Sequence, residues 1–182
     1  MKRSATLHRD APGLRRRACL GALALMGLSG LSHAAQPTLP SAKSLCDELA
    51  LALKSGNPLV VMVSLDGCPF CKVVREQYLA PMREQDALPV VQVDMHSTAA
   101  LQDFKGLALT HDHMVRAWRI KIAPSLLFFG AEGVEVAPRL IGIGSMDYYG
   151  SHLDQRLSQA RAAIKAACLG ACLKITGGRG CA

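Results

Sequence analysis

Aromatic side chains are scarce in this chain, at 4% with a single Trp; charged residues reach only 19%, and the 16 glycines fall without a period. The missing glycine period excludes a collagen-like chain, and there is no internal repeat or low-complexity block. After residue 34 no apolar stretch reaches the ~18 uninterrupted residues that a membrane-spanning helix needs. What the chain does carry is apolar side chains, at 50% of 182 residues, more than a disordered chain holds. It also carries seven Cys, in a chain too long for a miniprotein held by disulfides alone. One compact domain is the expectation.

The formal net charge of +7 would suggest a nucleic-acid or membrane partner if it were spread over that domain. It is not. The first 34 residues hold six of the 21 basic residues and one of the 14 acidic ones, which leaves a net of +2 from Ala35 onward. The domain itself has no electrostatic footprint for nucleic acid.

The basic excess belongs to a three-part leader. Arg15-Arg16-Arg17 ends a basic segment, Ala18 to Leu31 is apolar, and Ser32-His33-Ala34 supplies the small residues of a signal-peptidase site. Residues 1–34 are thus expected to be a cleaved export signal and 35–182 the mature domain, placed in the periplasm. The Arg16-Arg17 pair also resembles a twin-arginine signal, so Sec and twin-arginine routes both fit. Cys19 lacks a small-residue lipobox and would leave with the leader.

In the mature part, Ser41 or Ser44 can cap a helix to about Lys54, and Gly56-Asn57-Pro58 stops it. Leu59 to Leu65 is a continuous Val-rich run, the pattern of a strand covered on both sides. A turn at Asp66-Gly67 leads into Cys68-Pro69-Phe70-Cys71 and a helix to about Leu79, broken near Pro81. Val90 to Asp94 is a second buried strand. Thr98 to Phe104 reads as a short helix, and Thr110 as the cap of another through Arg119. Ser125 to Phe129 is a strand joined by a turn at Gly130 to Gly133 to Val134–Ile141. Ser145 can cap a last long helix whose stripe Tyr149, Leu153, Leu157, Ala160, Ile164 has helical spacing. Trp118, Phe128 and Phe129 are expected in the core. Strands alternating with helices and closed by a hairpin imply an α/β sandwich with a mixed sheet.

The residues that carry chemistry are Cys68 and Cys71. A thiol attacks a disulfide as thiolate, and a helix N-terminus stabilises that anion through its free N–H groups and its dipole. Cys68 receives that help directly, and Cys71, one turn on, can attack the resulting mixed disulfide. Pro69 sits where its missing N–H costs nothing.

With this motif and Ile122-Ala123-Pro124-Ser125-Leu126-Leu127-Phe128-Phe129 downstream of it, the chain resembles the thioredoxin superfamily over about Leu59 to Leu157. The resemblance implies a three-layer α/β/α sandwich and a thiol–disulfide oxidoreductase without a cofactor. It also implies that Pro124 is the cis-proline facing the dithiol, and that the Ala123 backbone pairs with an extended substrate. Leu140-Ile141-Gly142 fits the same pattern. Within the superfamily the chain is most similar to small exported thioredoxins of sulfur-oxidation and cytochrome c maturation systems. That implies protein thiol or disulfide substrates and a membrane thiol-electron donor. One departure stands out: thioredoxin and DsbA carry a buried acid six residues before the first Cys, where this chain has Met62. Pro69-Phe70 is closer to the Pro-Tyr of glutaredoxins than to Gly-Pro, so the direction of electron flow stays open between reductase, oxidant and isomerase.

Other readings of these residues remain. Cys68 and Cys71 could form a structural disulfide, or a copper or zinc site with a third ligand from the histidines or tail cysteines. Haem attachment is excluded, since Lys72 stands where His would be needed. His96, His111 and His113 could suggest a metal, but Thr110-His111-Asp112-His113 at a helix start fits a solvated cap better. Phe70, between the cysteines, is a candidate apolar contact for a substrate, alongside Pro69.

Cys46, Cys168, Cys172 and Cys181 are left over. Cys168 continues the last apolar stripe, but at i,i+4 the Cβ atoms of Cys168 and Cys172 stand about 5–6 Å apart. A disulfide wants about 3.5–4.5 Å. Cys172–Cys181, across the Gly-rich tail of about 170–182, is the first expectation. Mass spectrometry of the protein recovered from its export compartment should give a chain starting at Ala35; a chain starting before Gly30 would overturn the leader.

Overall fold

The computed structural model describes the backbone of residues 38–176 and the side chains of residues 38–169. The expected leader, residues 177–182 of the tail and the side chains of Cys172 and Cys181 lie outside the described residues.

Two runs of unbroken apolar sequence organise the fold. Strand β1 (Leu59–Ser64) is buried at all six positions and β5 (Ser125–Phe129) at all five. Only central strands covered on both faces tolerate such runs, and here the sheet order is β2-β1-β5-β6, with β2 (Val90–Asp94) and β6 (Glu135–Ile141) at the edges. β1 pairs parallel with β2 and antiparallel with β5, and β5 antiparallel with β6, so the sheet is mixed.

Alternation along the strands divides the core in two. Val61, Val63, Val91, Val93, Leu127 and Phe129 face α1 (Leu45–Lys54) and α4 (His111–Ala117). Val60, Met62, Val90, Leu126 and Phe128 face α2 (Pro69–Val73), α3 (Ala80–Gln85) and α5 (Met146–Thr176). This is the three-layer α/β/α sandwich. Ser44 caps α1 by accepting the Asp47 N–H at 3.2 Å, and Thr110 caps α4 by accepting the His113 N–H at 3.2 Å. Tyr149, Leu153, Leu157, Ala160 and Ile164 are all buried, as the stripe requires. Among the described residues no helix is long and apolar enough to cross a membrane.

Several expectations fail locally. Where the spacing predicts a short helix over Thr98–Phe104, the chain forms a hairpin of β3 (Ala100–Gln102) and β4 (Ala108–Thr110). Asp103 makes the turn: its carboxylate accepts the N–H groups of Lys105 at 2.8 Å and Leu107 at 2.9 Å, with Gly106 left-handed at φ +80°. The helix expected to break near Pro81 instead continues through a π-helical turn (Val74–Leu79) into α3. The wider turn, closed by the Ala80 N–H on the Arg75 carbonyl, places Pro81 in the first turn of α3, where its missing N–H is harmless. α4 ends at Ala117, and Arg119 is left-handed at φ +57°. Cys168 does not continue the buried stripe; it is exposed, and burial ends at Ile164.

His111 is the largest departure. It is not part of a solvated cap but lies 1% exposed. Its Nδ1 accepts the Asp94 N–H at 3.0 Å, so the proton is on Nε2, which donates to the Ala42 carbonyl at 2.9 Å. The ring thereby ties the chain before α1 to the end of β2. Replacing it with a side chain of similar bulk, His111→Leu, leaves two backbone groups without partners at about 1–3 kcal/mol each. Urea unfolding should show a loss of about 2–6 kcal/mol; a change below about 0.5 kcal/mol, the range of neutral surface substitutions, would contradict this role.

Candidate functional site

β1 delivers the chain to the site. Past Ser64 it turns through Asp66-Gly67, with Gly67 at φ +69°, and the Cys68 N–H returns to the Leu65 carbonyl at 3.2 Å. Cys68 then takes an extended conformation as the N-cap of α2, with Pro69 in the first turn. Its sulfur accepts the Cys71 N–H at 3.3 Å, filling the place usually taken by a capping oxygen. Neither sulfur is in a disulfide in this structure.

The two sulfurs sit in different surroundings. Cys68 is half-buried, whereas Cys71 is 0% exposed and belongs to the core with Val60, Met62 and Val74. Partial burial opposes the Cys68 thiolate. It is outweighed by the hydrogen bonds of the Cys71 thiol and of the Cys71 and Phe70 N–H groups and by the Arg75 charge, so the Cys68 thiol is more acidic than usual. Cys71 goes the other way. Burial first, then the hydrogen bond and charge of Cys68, push it up to about 11, against the Leu65 backbone and the Ser64 hydroxyl.

The segment before β5 closes one side. The Ala123–Pro124 peptide bond is cis, and the Ala123 carbonyl lies 4.0 Å from the Cys68 sulfur. Two bonds hold this segment: Ser125 Oγ donates to the Ile122 carbonyl at 2.7 Å, and the Gly142 N–H to the Pro124 carbonyl at 2.8 Å. Pro124 is buried, Ala123 half-buried and Pro69 exposed. Phe70 is 57% exposed and Ile122 54%. Cys68, Cys71, Ala123 and Pro124 are therefore brought together, and Phe70 stands at the rim of the same surface.

On the opposite side, toward β2, a groove of about 860 Å³ reaches Cys68 and Pro69. Part of its wall is a polar chain with no counterpart in the sequence reading. Arg75 donates through Nε to Gln92 at 2.8 Å and through a terminal nitrogen to Ser64 Oγ at 3.0 Å, and Gln92 donates to Asp94 at 2.6 Å. Two signals in the sequence point there. Arg75 follows Cys71 by four residues, on the same helical face, and Ser64 is the one polar residue in the run Leu59 to Leu65.

His96, His111 and His113 are not gathered with the thiols: His111 is committed to the backbone, and His96 faces Asp112 at 3.5 Å. Among the described residues no group of three or more His, Cys, Asp or Glu side chains is arranged to hold a metal ion. Cys46 and Cys168 are exposed thiols and belong to no such group.

Comparison with known proteins places this geometry. A family model described as a thioredoxin-like domain matches residues 45–156. No curated protein matches the chain. Among solved structures, thioredoxin O2 from Arabidopsis thaliana aligns at 16% identity over 64% of this chain and 95% of its own, with a TM-score of 0.43. The periplasmic thioredoxin SoxS from Paracoccus pantotrophus aligns at 21% identity over 57% of this chain and 98% of its own, with a TM-score of 0.37. A DsbH oxidoreductase aligns at 13% identity over 86% of this chain and 95% of its own, with a TM-score of 0.45. The family model covers more than half of the chain, from α1 through the dithiol to α5, and the chain belongs to the thioredoxin-like family.

Proposed function

We propose that this protein is an exported thiol–disulfide oxidoreductase that reduces disulfides in protein substrates through Cys68 and Cys71. The observation that carries the reading is the pairing of a half-exposed, acidified thiol at a helix N-cap with a buried, less acidic thiol one turn on. The Cys68 thiolate attacks one sulfur of a substrate disulfide; a Cys68–substrate bond forms, and the other substrate sulfur leaves as a thiolate that takes a proton from solvent. Cys71 then loses its proton to solvent and attacks Cys68. The Cys68–Cys71 bond forms, the second substrate sulfur leaves and is protonated, and two electrons have passed from the protein to the substrate.

Ala123 and Pro124 form the edge against which an extended substrate segment lies, with the Ala123 carbonyl free to accept a backbone N–H. Phe70 adds an apolar contact beside Pro69. Each turnover leaves the protein oxidised, so a two-electron donor must restore it; in the periplasm that role falls to a membrane thiol-electron donor. The net effect at Cys68 stabilises the thiolate and with it the reduced form, and strong oxidants of this chemistry carry that stabilisation much further, so the Cys68/Cys71 potential decides the direction.

Insulin reduction with dithiothreitol as donor tests the activity. Wild type should catalyse it and Cys68→Ser should reduce the rate to background. The Cys68/Cys71 potential should lie nearer to about −270 mV than to about −120 mV, and a value at the oxidising end would reverse the direction. The two thiols should also separate by pH. With a thiol pushed up to about 11, Cys71 holds only about one part in 10⁴ of thiolate at pH 7. Brief iodoacetamide treatment at pH 7 followed by peptide mass spectrometry should label Cys68 and spare Cys71; equal labelling would contradict the asymmetry.

A further inference from the structure

The step that frees product requires Cys71 to act as a thiolate in the least hospitable position of the site. It is fully buried, and the strand face beneath it is apolar at Val60 and Met62. Among the described residues the side chains that act on it are Cys68 from its own helix, Ser64 from β1 and Tyr149 from α5, none of them a carboxylate, and Arg75 stands one turn on, bonded to Ser64. Tyr149 cannot take the proton: burial, then Tyr78 and Cys71, hold its hydroxyl above its usual range, and that hydroxyl has no hydrogen-bond partner among the described residues. Asp94 lines the groove that reaches Cys68 and is joined to Arg75 through Gln92.

Ser64 is the next residue after Met62 on the same face of β1, is 1% exposed, and is the first polar group on that face. Its oxygen accepts from the Arg75 guanidinium at 3.0 Å, which leaves the hydroxyl proton free to point elsewhere. Arg75 stands one turn after Cys71, so its bond to Ser64 Oγ sets the hydroxyl beneath the helix face that carries Cys71, where it favours the thiolate. Arg75 is itself fixed. Its Nε donates to Gln92 Oε1, and the Gln92 amide is oriented by donating to Asp94.

Resting on the oxidoreductase reading above, we propose that Ser64 and Arg75 are positioning residues for the resolving step. Arg75 polarises the Ser64 hydroxyl, whose O–H stabilises the Cys71 thiolate while it attacks the mixed disulfide. The proton of Cys71 goes to solvent, and the thiolate negative charge is met by a hydroxyl backed by a permanent cation. Charge-assisted hydrogen bonds of this kind are about twice as strong as neutral ones. Ser64 takes no part in the first attack, where Cys68 has the helix N–H groups and the Arg75 charge acts without the hydroxyl.

Substoichiometric dithiobis(nitrobenzoate) separates the two attacks. In the full mature chain with Cys46, Cys168, Cys172 and Cys181 changed to Ser, one nitrothiobenzoate leaves in a bimolecular phase as Cys68 attacks. A second leaves in a unimolecular phase as Cys71 closes the Cys68–Cys71 bond. Ser64→Ala and Arg75→Gln should slow the second phase at pH 7 by roughly tenfold relative to the first and move its pH midpoint upward, while Arg75→Lys keeps most of the rate. An unchanged second phase, or equal slowing of both phases, would overturn the proposal. Should Ser64→Ala fail to fold, the Arg75→Gln and Arg75→Lys comparison carries the same test. If the parent chain releases only one nitrothiobenzoate per reagent, the dithiol reading itself fails. Loss in the variants alone leaves that reading intact.

Discussion

The site depends on one junction, where a strand buried on both faces runs out at Ser64 and the chain turns within four residues into a helix capped by sulfur. The burial of β1 fixes its position between β2 and β5, so Cys68 leaves the sheet at a determined height and direction. β5, the other central neighbour, begins beside the same end, and this brings Ala123 and Pro124 to the Cys68 sulfur. Neither contact survives a slip of one residue in β1, because a slip would move Met62 and Ser64 to the other face of the sheet.

The same junction explains why two cysteines three residues apart behave differently. An N-cap residue lies half outside the helix, so Cys68 keeps access to solvent and to substrate while collecting the first free N–H groups. Cys71 has entered the first turn on the inward face and meets Met62, Val74 and Tyr149. The asymmetry is a property of position rather than of the residues between them. Pro69 contributes the fixed φ that keeps the cap geometry, and Phe70 is turned outward by the same helical phase that turns Cys71 inward.

How much of this could be read from the sequence depended on how local the cause was. The runs Leu59–Leu65 and Ser125–Phe129, the caps at Ser44 and Thr110 and the stripe Tyr149 to Ile164 each carry their reason within a few residues, and each appears where the pattern places it. The Asp103 turn escapes the pattern because Asp103-Phe104-Lys105-Gly106 serves both a helix end and an Asx turn. The difference lies in the pairing of Ala100–Gln102 with Ala108–Thr110, which no residue in the segment announces by itself. Pro81 was misread because a π-turn allows a proline to begin a new helical segment rather than end one. His111 and the Arg75–Ser64 contact depend on tertiary neighbours 17, 69 and 11 residues away. The apolar-run pattern that identifies β1 also hides Ser64, because a single hydroxyl does not disturb it.

The charge that serves the buried thiol also has a consequence for pH. A buried carboxylate next to Cys71 would carry its own titration into the resolving step, since two groups close in space share their macroscopic pKa values. An arginine does not titrate in this range. With Met62 under the thiol and Arg75 acting through a hydroxyl, the stabilising field stays constant as pH changes, and the rate of the resolving step follows the ionisation of Cys71 alone. The same cation lowers the Cys68 thiol from the other side of the turn. One guanidinium, held by Gln92 and Ser64 at the wall of the groove, thus acts on both sulfurs: directly on the exposed one, and through a hydrogen bond on the buried one, where the apolar surroundings make that bond count most.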